Sequence, residues 1–199
     1  MLIFEPGANA KRFRGCLWIL TLFMLVGVAS PVRADSNIPG KKQTALKLYL
    51  NARQAWEKWS ASPGTVHILD VRTQAEYIFI GHPPMAVNIP IRFLGNTLNP
   101  ITLHPSMPKN DHFIEAVKQR FKENDTILVI CRSGSRSAVA VNSMAKAGYR
   151  NVYNIVDGFE GDKLKDPDSY QNGKRIINGW KNSGAPWTYQ LERELVYNP

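Results

Sequence analysis

Cysteine is scarce in this chain of 199 residues, with only Cys16 and Cys131. A framework of structural disulfides is therefore excluded. No internal repeat and no low-complexity stretch occurs, so solenoid and disordered architectures have no support. No five basic residues run together and none interleave with aromatics, which argues against a nucleic-acid surface despite the formal net charge of +9. The four histidines, His67, His82, His104 and His112, lack metal-ligand spacing and read as structural or exposed. Neither a metal nor another cofactor is expected. The longest apolar run, Cys16 to Ala29, is 14 residues. As a helix it spans about 21 Å, short of the roughly 30 Å hydrocarbon core.

That run lies between Lys11, Arg12 and Arg14 on one side and Val32-Arg33-Ala34 on the other. The order basic, apolar, small is that of a secretory signal peptide, with cleavage expected after Ala34 and no stable membrane anchor. Cys16 opens the apolar run instead of following it, which is the wrong place for lipid attachment. Export to a periplasmic or extracellular space is the expectation. Beyond residue 34 the chain holds 21 Lys and Arg against 15 Asp and Glu, a net charge of +6 that favours small anionic ligands. One cysteine then remains, Cys131. With no disulfide partner it is either an inert core residue or a reactive thiol, and its neighbours decide.

Residues 35–45 are polar and read as a loose arm, and residues 46–199 as one domain. Leu46, Leu48 and Leu50 alternate as in a short strand. Asn51 caps a helix expected to run to about Trp59, and Pro63-Gly64 closes the unit. Val66 to Leu69 is a strand delivering Asp70-Val71-Arg72. Thr73 to Phe79 is read as helix, and Val87 to Ile89 as a brief strand. Residues 92–108, rich in Asn, Pro and Thr, form a surface excursion. Phe113, Val117 and Phe121 recur at helical spacing from a cap at Asn110 or Asp111. Thr126 to Ile130 is an unbroken apolar run of the kind buried on both faces of a parallel sheet. Ser137 to Ala147 follows as helix, closed by Gly148, and Val152 to Val156 as strand. This alternation gives an α/β fold with a central, largely parallel sheet and helices on both faces. Ligands in such sheets bind beyond the carboxyl ends of the strands, where Cys131 falls.

Cys131-Arg132-Ser133-Gly134-Ser135-Arg136 joins the buried strand to a helix. Gly134 and the serines let the loop curl so that backbone N–H groups converge, and the helix dipole, Arg132 and Arg136 add positive charge. All favour thiolate over thiol, so the sequence predicts that Cys131 titrates below the roughly 8.5 of a free cysteine. A cysteine phosphatase uses a similar cradle but needs five residues between cysteine and arginine. Here four separate Cys131 from Arg136, and the next residue is Ser137.

This loop resembles the active-site loop of the rhodanese family, and matching segments cover nearly all of residues 46–189. Leu69-Asp70-Val71-Arg72 with Glu76-Tyr77 resembles the family's strand-end acid, arginine and following helix. Gly81-His82-Pro83-Pro84-Met85-Ala86-Val87-Asn88-Ile89-Pro90 resembles its Gly-His to Asn-Ile-Pro segment. Asp157-Gly158-Phe159, Trp180 and Gly184-Ala185-Pro186 resemble its C-terminal Gly-Gly, Trp and Gly-x-Pro pattern. The resemblance implies the rhodanese three-layer α/β domain and sulfane-sulfur transfer through a Cys131 persulfide. It implies a small anionic donor such as thiosulfate, bound by Arg132 and Arg136. The backbone from Arg132 through Ser133, Gly134 and Ser135 to Ser137 would hold charge on sulfur. The acceptor would be cyanide, a thiol or a protein. A non-catalytic sulfur-binding or partner-docking module is the alternative it leaves.

Among supporting residues, Arg72 and Glu76 stand one helical turn apart and are expected to pair. Asp70 either reaches the loop or simply ends the strand and caps the helix after it. Met85 and Asp157 stand where the family often has glycine. Asp162 to Asn178 is a polar insertion before the final Trp segment, expected to decorate the surface, flank the site or dock a partner.

Overall fold

The computed structural model describes residues 38–198; the leader segment read over residues 1–34 and the start of the arm lie outside them. In chain order the elements are β1 (Tyr49–Leu50), α1 (Ala52–Ala61), β2 (Val66–Asp70), α2 (Gln74–Ile80), β3 (Ala86–Asn88), α3 (Phe113–Arg120), β4 (Thr126–Ile130), α4 (Ser135–Lys146) and β5 (Val152–Ile155). Short 3-10 turns occupy Gly40–Lys42 and Trp180–Asn182. The strands form one parallel sheet in the order β1-β5-β4-β2-β3.

β4 sits at the centre because every residue from Ile127 to Ile130 is apolar and none is exposed. Each such side chain contributes about 1.5–3 kcal/mol relative to leaving it in water. Its alternate residues serve different layers. Ile127 and Val129 pack with Phe113 and Val117 of α3 and with Val141 and Met144 of α4. Leu128 and Ile130 pack with Ala52 and Ala55 of α1, Tyr77 of α2, Phe159 and Trp180. Helices thus cover both faces, giving the three-layer arrangement expected.

Two helix starts follow directly from residue chemistry. The Asn51 side chain accepts from Gln54 N at 2.8 Å while Gln54 Oε1 accepts from Asn51 N at 3.0 Å. Thr73 and Glu76 make the same reciprocal box at α2, at 3.2 and 3.1 Å. Each cap typically contributes about 1 kcal/mol. At α3 the expected cap is displaced: His112 is the capping position without a side-chain bond, while Asn110 accepts from His112 N at 3.1 Å. The strand expected over residues 46–50 shrinks to Tyr49–Leu50, because Lys47 takes a left-handed turn at φ 52°. The Trp segment is a single 3-10 turn.

The arm is not loose from residue 38 onward. Lys42 and Thr44 are buried, Asn154 Nδ2 donates to the Lys42 carbonyl at 2.8 Å, and Lys42 Nζ meets Asp162 at 3.3 Å. Residues 92–108 fold back as an irregular hairpin, with Gly95 N donating to Ser106 O at 2.9 Å and Asn99 N to His104 O at 2.8 Å.

Candidate active site

Asp70 of β2 and Ile130 of β4 lie opposite each other in register, so both strands end at the same edge. Cys131 leaves β4 there. Its carbonyl accepts from Phe159 N at 2.7 Å, and the Arg132 carbonyl accepts from Glu160 N at 3.0 Å. Asn154 Nδ2 holds the Gly134 carbonyl at 3.1 Å. With the carbonyls tied to the chain behind them, the loop turns donors toward sulfur. Gly134 N reaches Cys131 Sγ at 3.2 Å and Ser137 Oγ reaches it at 3.3 Å.

Two glycines make this packing possible. Gly134 caps α4 at φ 93°, and a Cβ there would lie 2.1 Å from Val156 O. Gly158, at φ 67°, touches the loop from behind; its Cβ would lie 2.5 Å from Cys131 O and 2.6 Å from Ser133 N. Asp157 beside it is not in the left-handed region. Its carboxylate instead accepts from Ala52 N at 2.8 Å and Gly179 N at 3.1 Å, joining the start of α1 to the end of residues 162–178. Burial pushes the Asp157 carboxyl up, against the opposing pull of these amides and of Lys42.

The supporting residues pair differently from expectation. Arg72 does not meet Glu76. It is fully buried, forks onto Asp70 at 2.6 and 3.0 Å, donates to Gly81 O at 2.8 Å and lies over the Phe159 ring at 4.1 Å. Asp70 therefore ends β2, as one expectation had it, but neither reaches the loop nor caps α2, a task done by Thr73. The reason is geometric: the Arg72 N–H and guanidinium both turn back onto the strand-end carboxylate two residues earlier. Glu76 projects across to the loop instead, where Arg136 grips both its oxygens at 2.6 and 2.7 Å. Burial alone would push the Glu76 carboxyl up, but the Arg136 hydrogen bonds and charge, with the Thr73 amide and Arg72, hold it down at about 2.

Cys131 is only 1% exposed, yet it lines a cavity of about 780 Å³ with Arg132, Ser133, Ser135 and Arg136. Ser137 is buried beneath them. Arg132 is exposed and has no carboxylate within 4 Å among the described residues. Of the rest of the wall, the sequence offered only the 162–178 insertion, for which flanking the site was one of the alternatives. The 92–108 hairpin contributes Arg92, Leu94, His104 and Met107, the arm contributes Lys41, and the 162–178 segment contributes Arg175. Nothing in the spacing of those residues places them near Cys131, because each arrives through long-range loop packing.

The rhodanese-like domain family matches residues 52–165. An uncharacterised protein of Rickettsia prowazekii is 34% identical over 124 residues, 61% of this chain and 82% of that protein. Thiosulfate sulfurtransferase 16, chloroplastic, of Arabidopsis thaliana is 37% identical over 91 residues, 46% of this chain and 68% of that protein. The crystal structure of Rv0390 from M. tuberculosis superposes with a TM-score of 0.55 at 29% identity, covering 71% of this chain and 96% of that one.

Proposed function

The chain belongs to the rhodanese-like domain family, and we propose that it is a sulfurtransferase that carries sulfane sulfur on Cys131. The observation that carries this reading is the pair of donors on one sulfur, Gly134 N at 3.2 Å and Ser137 Oγ at 3.3 Å, at the start of α4 and inside a basic cavity. An amide, a hydroxyl and a helix N-terminus together favour negative charge on that atom. The relatives named thiosulfate sulfurtransferases point the same way.

The reaction is nucleophilic transfer in two halves. The Cys131 thiolate attacks the outer sulfur of thiosulfate. A Cys131–S–S⁻ persulfide forms, the S–S bond of the donor breaks, and its electron pair leaves on sulfite. A nucleophilic acceptor then takes the outer sulfur and returns the thiolate. Gly134 N and Ser137 Oγ keep Sγ oriented throughout. Arg132 attracts the donor, whereas Arg136 is held by Glu76 and fixes the loop at the cavity wall. Export ahead of this chemistry is part of the same proposal.

Steady-state turnover of thiosulfate with cyanide tests the reading, with Cys131→Ser as the control. Turnover by the wild type and its loss in the folded variant are expected. A folded wild type without turnover on thiosulfate or other sulfane donors would favour a non-catalytic sulfur-binding module.

A further inference from the structure

The cavity is larger than the donor half-reaction needs. At about 780 Å³ it lies in the roughly 300–1,000 Å³ range that encloses drug-sized ligands, whereas thiosulfate has only a handful of heavy atoms. Its lining beyond the Cys131 loop has two characters. Phe79, 77% exposed, and Leu94, 51% exposed, are apolar. Lys41 and Arg175 are basic, and neither has a carboxylate within 4 Å among the described residues. Arg175 Nη1 is steadied by the Gly161 carbonyl, a neutral acceptor that leaves its charge available. Asp162, the carboxylate that senses Arg175, is already held by Lys42 at 3.3 Å and Asn178 Nδ2 at 3.1 Å. Arg136, by contrast, is matched by Glu76.

Resting on the sulfur-transfer reading, we propose that Lys41 and Arg175 form a second anion subsite that holds the carboxylate of a small-molecule thiol acceptor, its carbon chain lying against Phe79 and Leu94. The acceptor loses its thiol proton to solvent and attacks the outer sulfur of the Cys131 persulfide. A new S–S bond forms on the acceptor, the Sγ–S bond breaks, and its electron pair returns to Cys131 as thiolate. The acceptor departs as an organic persulfide. The two segments with least apparent connection to the chemistry, the arm and residues 162–178, thereby determine which thiol is used.

The test isolates the second half-reaction. Full-length protein is loaded with thiosulfate, desalted, checked by mass for one added sulfur, and discharged with 2-mercaptoethanol or 3-mercaptopropionate, each normalised to its uncatalysed reactivity. The carboxylate thiol should discharge the persulfide at least about fivefold faster at low salt, with the preference shrinking as salt rises. Arg175→Glu and, independently, Lys41→Glu should abolish the preference while the neutral thiol still reacts. Lys165→Ala, on the exposed part of the same segment, should keep it. Equal normalised rates in the wild type, or a preference surviving both charge reversals, would overturn the subsite. Absence of any loaded sulfur in the wild type would instead overturn the sulfur-transfer reading on which it rests.

Discussion

Replacing Glu76 with glutamine keeps the side chain's shape and removes its charge from the Arg136 pair. The structure sets the expected cost. Holding the carboxyl at about 2 instead of 4.5 corresponds to roughly 3 kcal/mol in favour of the ionised, folded form. Both side chains remain about a fifth exposed, 20% for Glu76 and 19% for Arg136, so solvent screening reduces this to about 2 kcal/mol. Because the folded value is depressed, the contribution is fully present above pH 4.5 and is lost as pH falls toward 2. Urea unfolding of wild type and Glu76→Gln should therefore show a gap of about 2 kcal/mol at pH 7 that closes across that acidic window. Equal stabilities at neutral pH, or a gap that does not narrow between pH 4.5 and 2, would refute the pairing of Glu76 with Arg136.

Gly158→Ala should displace the Cys131 loop, since its new methyl would meet backbone at 2.5 Å from Cys131 O; a loss of several kcal/mol in urea unfolding and of sulfur loading is expected. Asn154→Leu removes the buried amide that holds the Lys42 and Gly134 carbonyls, so stability should fall by about 2–3 kcal/mol, measured the same way. Asp162 and Asn178 hold each other at 3.1 Å where the segment leaves and rejoins the domain, so replacing only residues 163–177 by a short turn, with Asp162 kept for Lys42, should change the melting temperature little. N-terminal sequencing of exported protein should begin at Asp35; an intact leader on membrane-bound protein would contradict cleavage there.

The alternation of strands and helices was readable because β4 is apolar from Ile127 to Ile130, Asn51 and Thr73 are strong caps, and Gly148 closes α4. The Cys131 loop was readable because its cradle is local: Gly134 and Ser137 lie within six residues of the sulfur they contact. The ion pairs were not. Arg72 and Glu76 sit one turn apart, but helical spacing says nothing of a partner 60 residues away, and Arg136 wins Glu76 through the fold. The outer cavity wall was hidden for the same reason. Lys41, Leu94 and Arg175 belong to three loops that converge only when the sheet orders them. Packing likewise overrode composition in the polar arm, where the fold buries Lys42 beside Asn154 and Asp162.

The most direct test is intact mass after incubation of the protein with thiosulfate and removal of excess donor. A gain of one sulfur atom mapped to Cys131, its removal by cyanide, and no gain in folded Cys131→Ser are expected. Sulfur retained by the Cys131→Ser variant, or none on the folded wild type with any sulfane donor, would contradict sulfur transfer through Cys131.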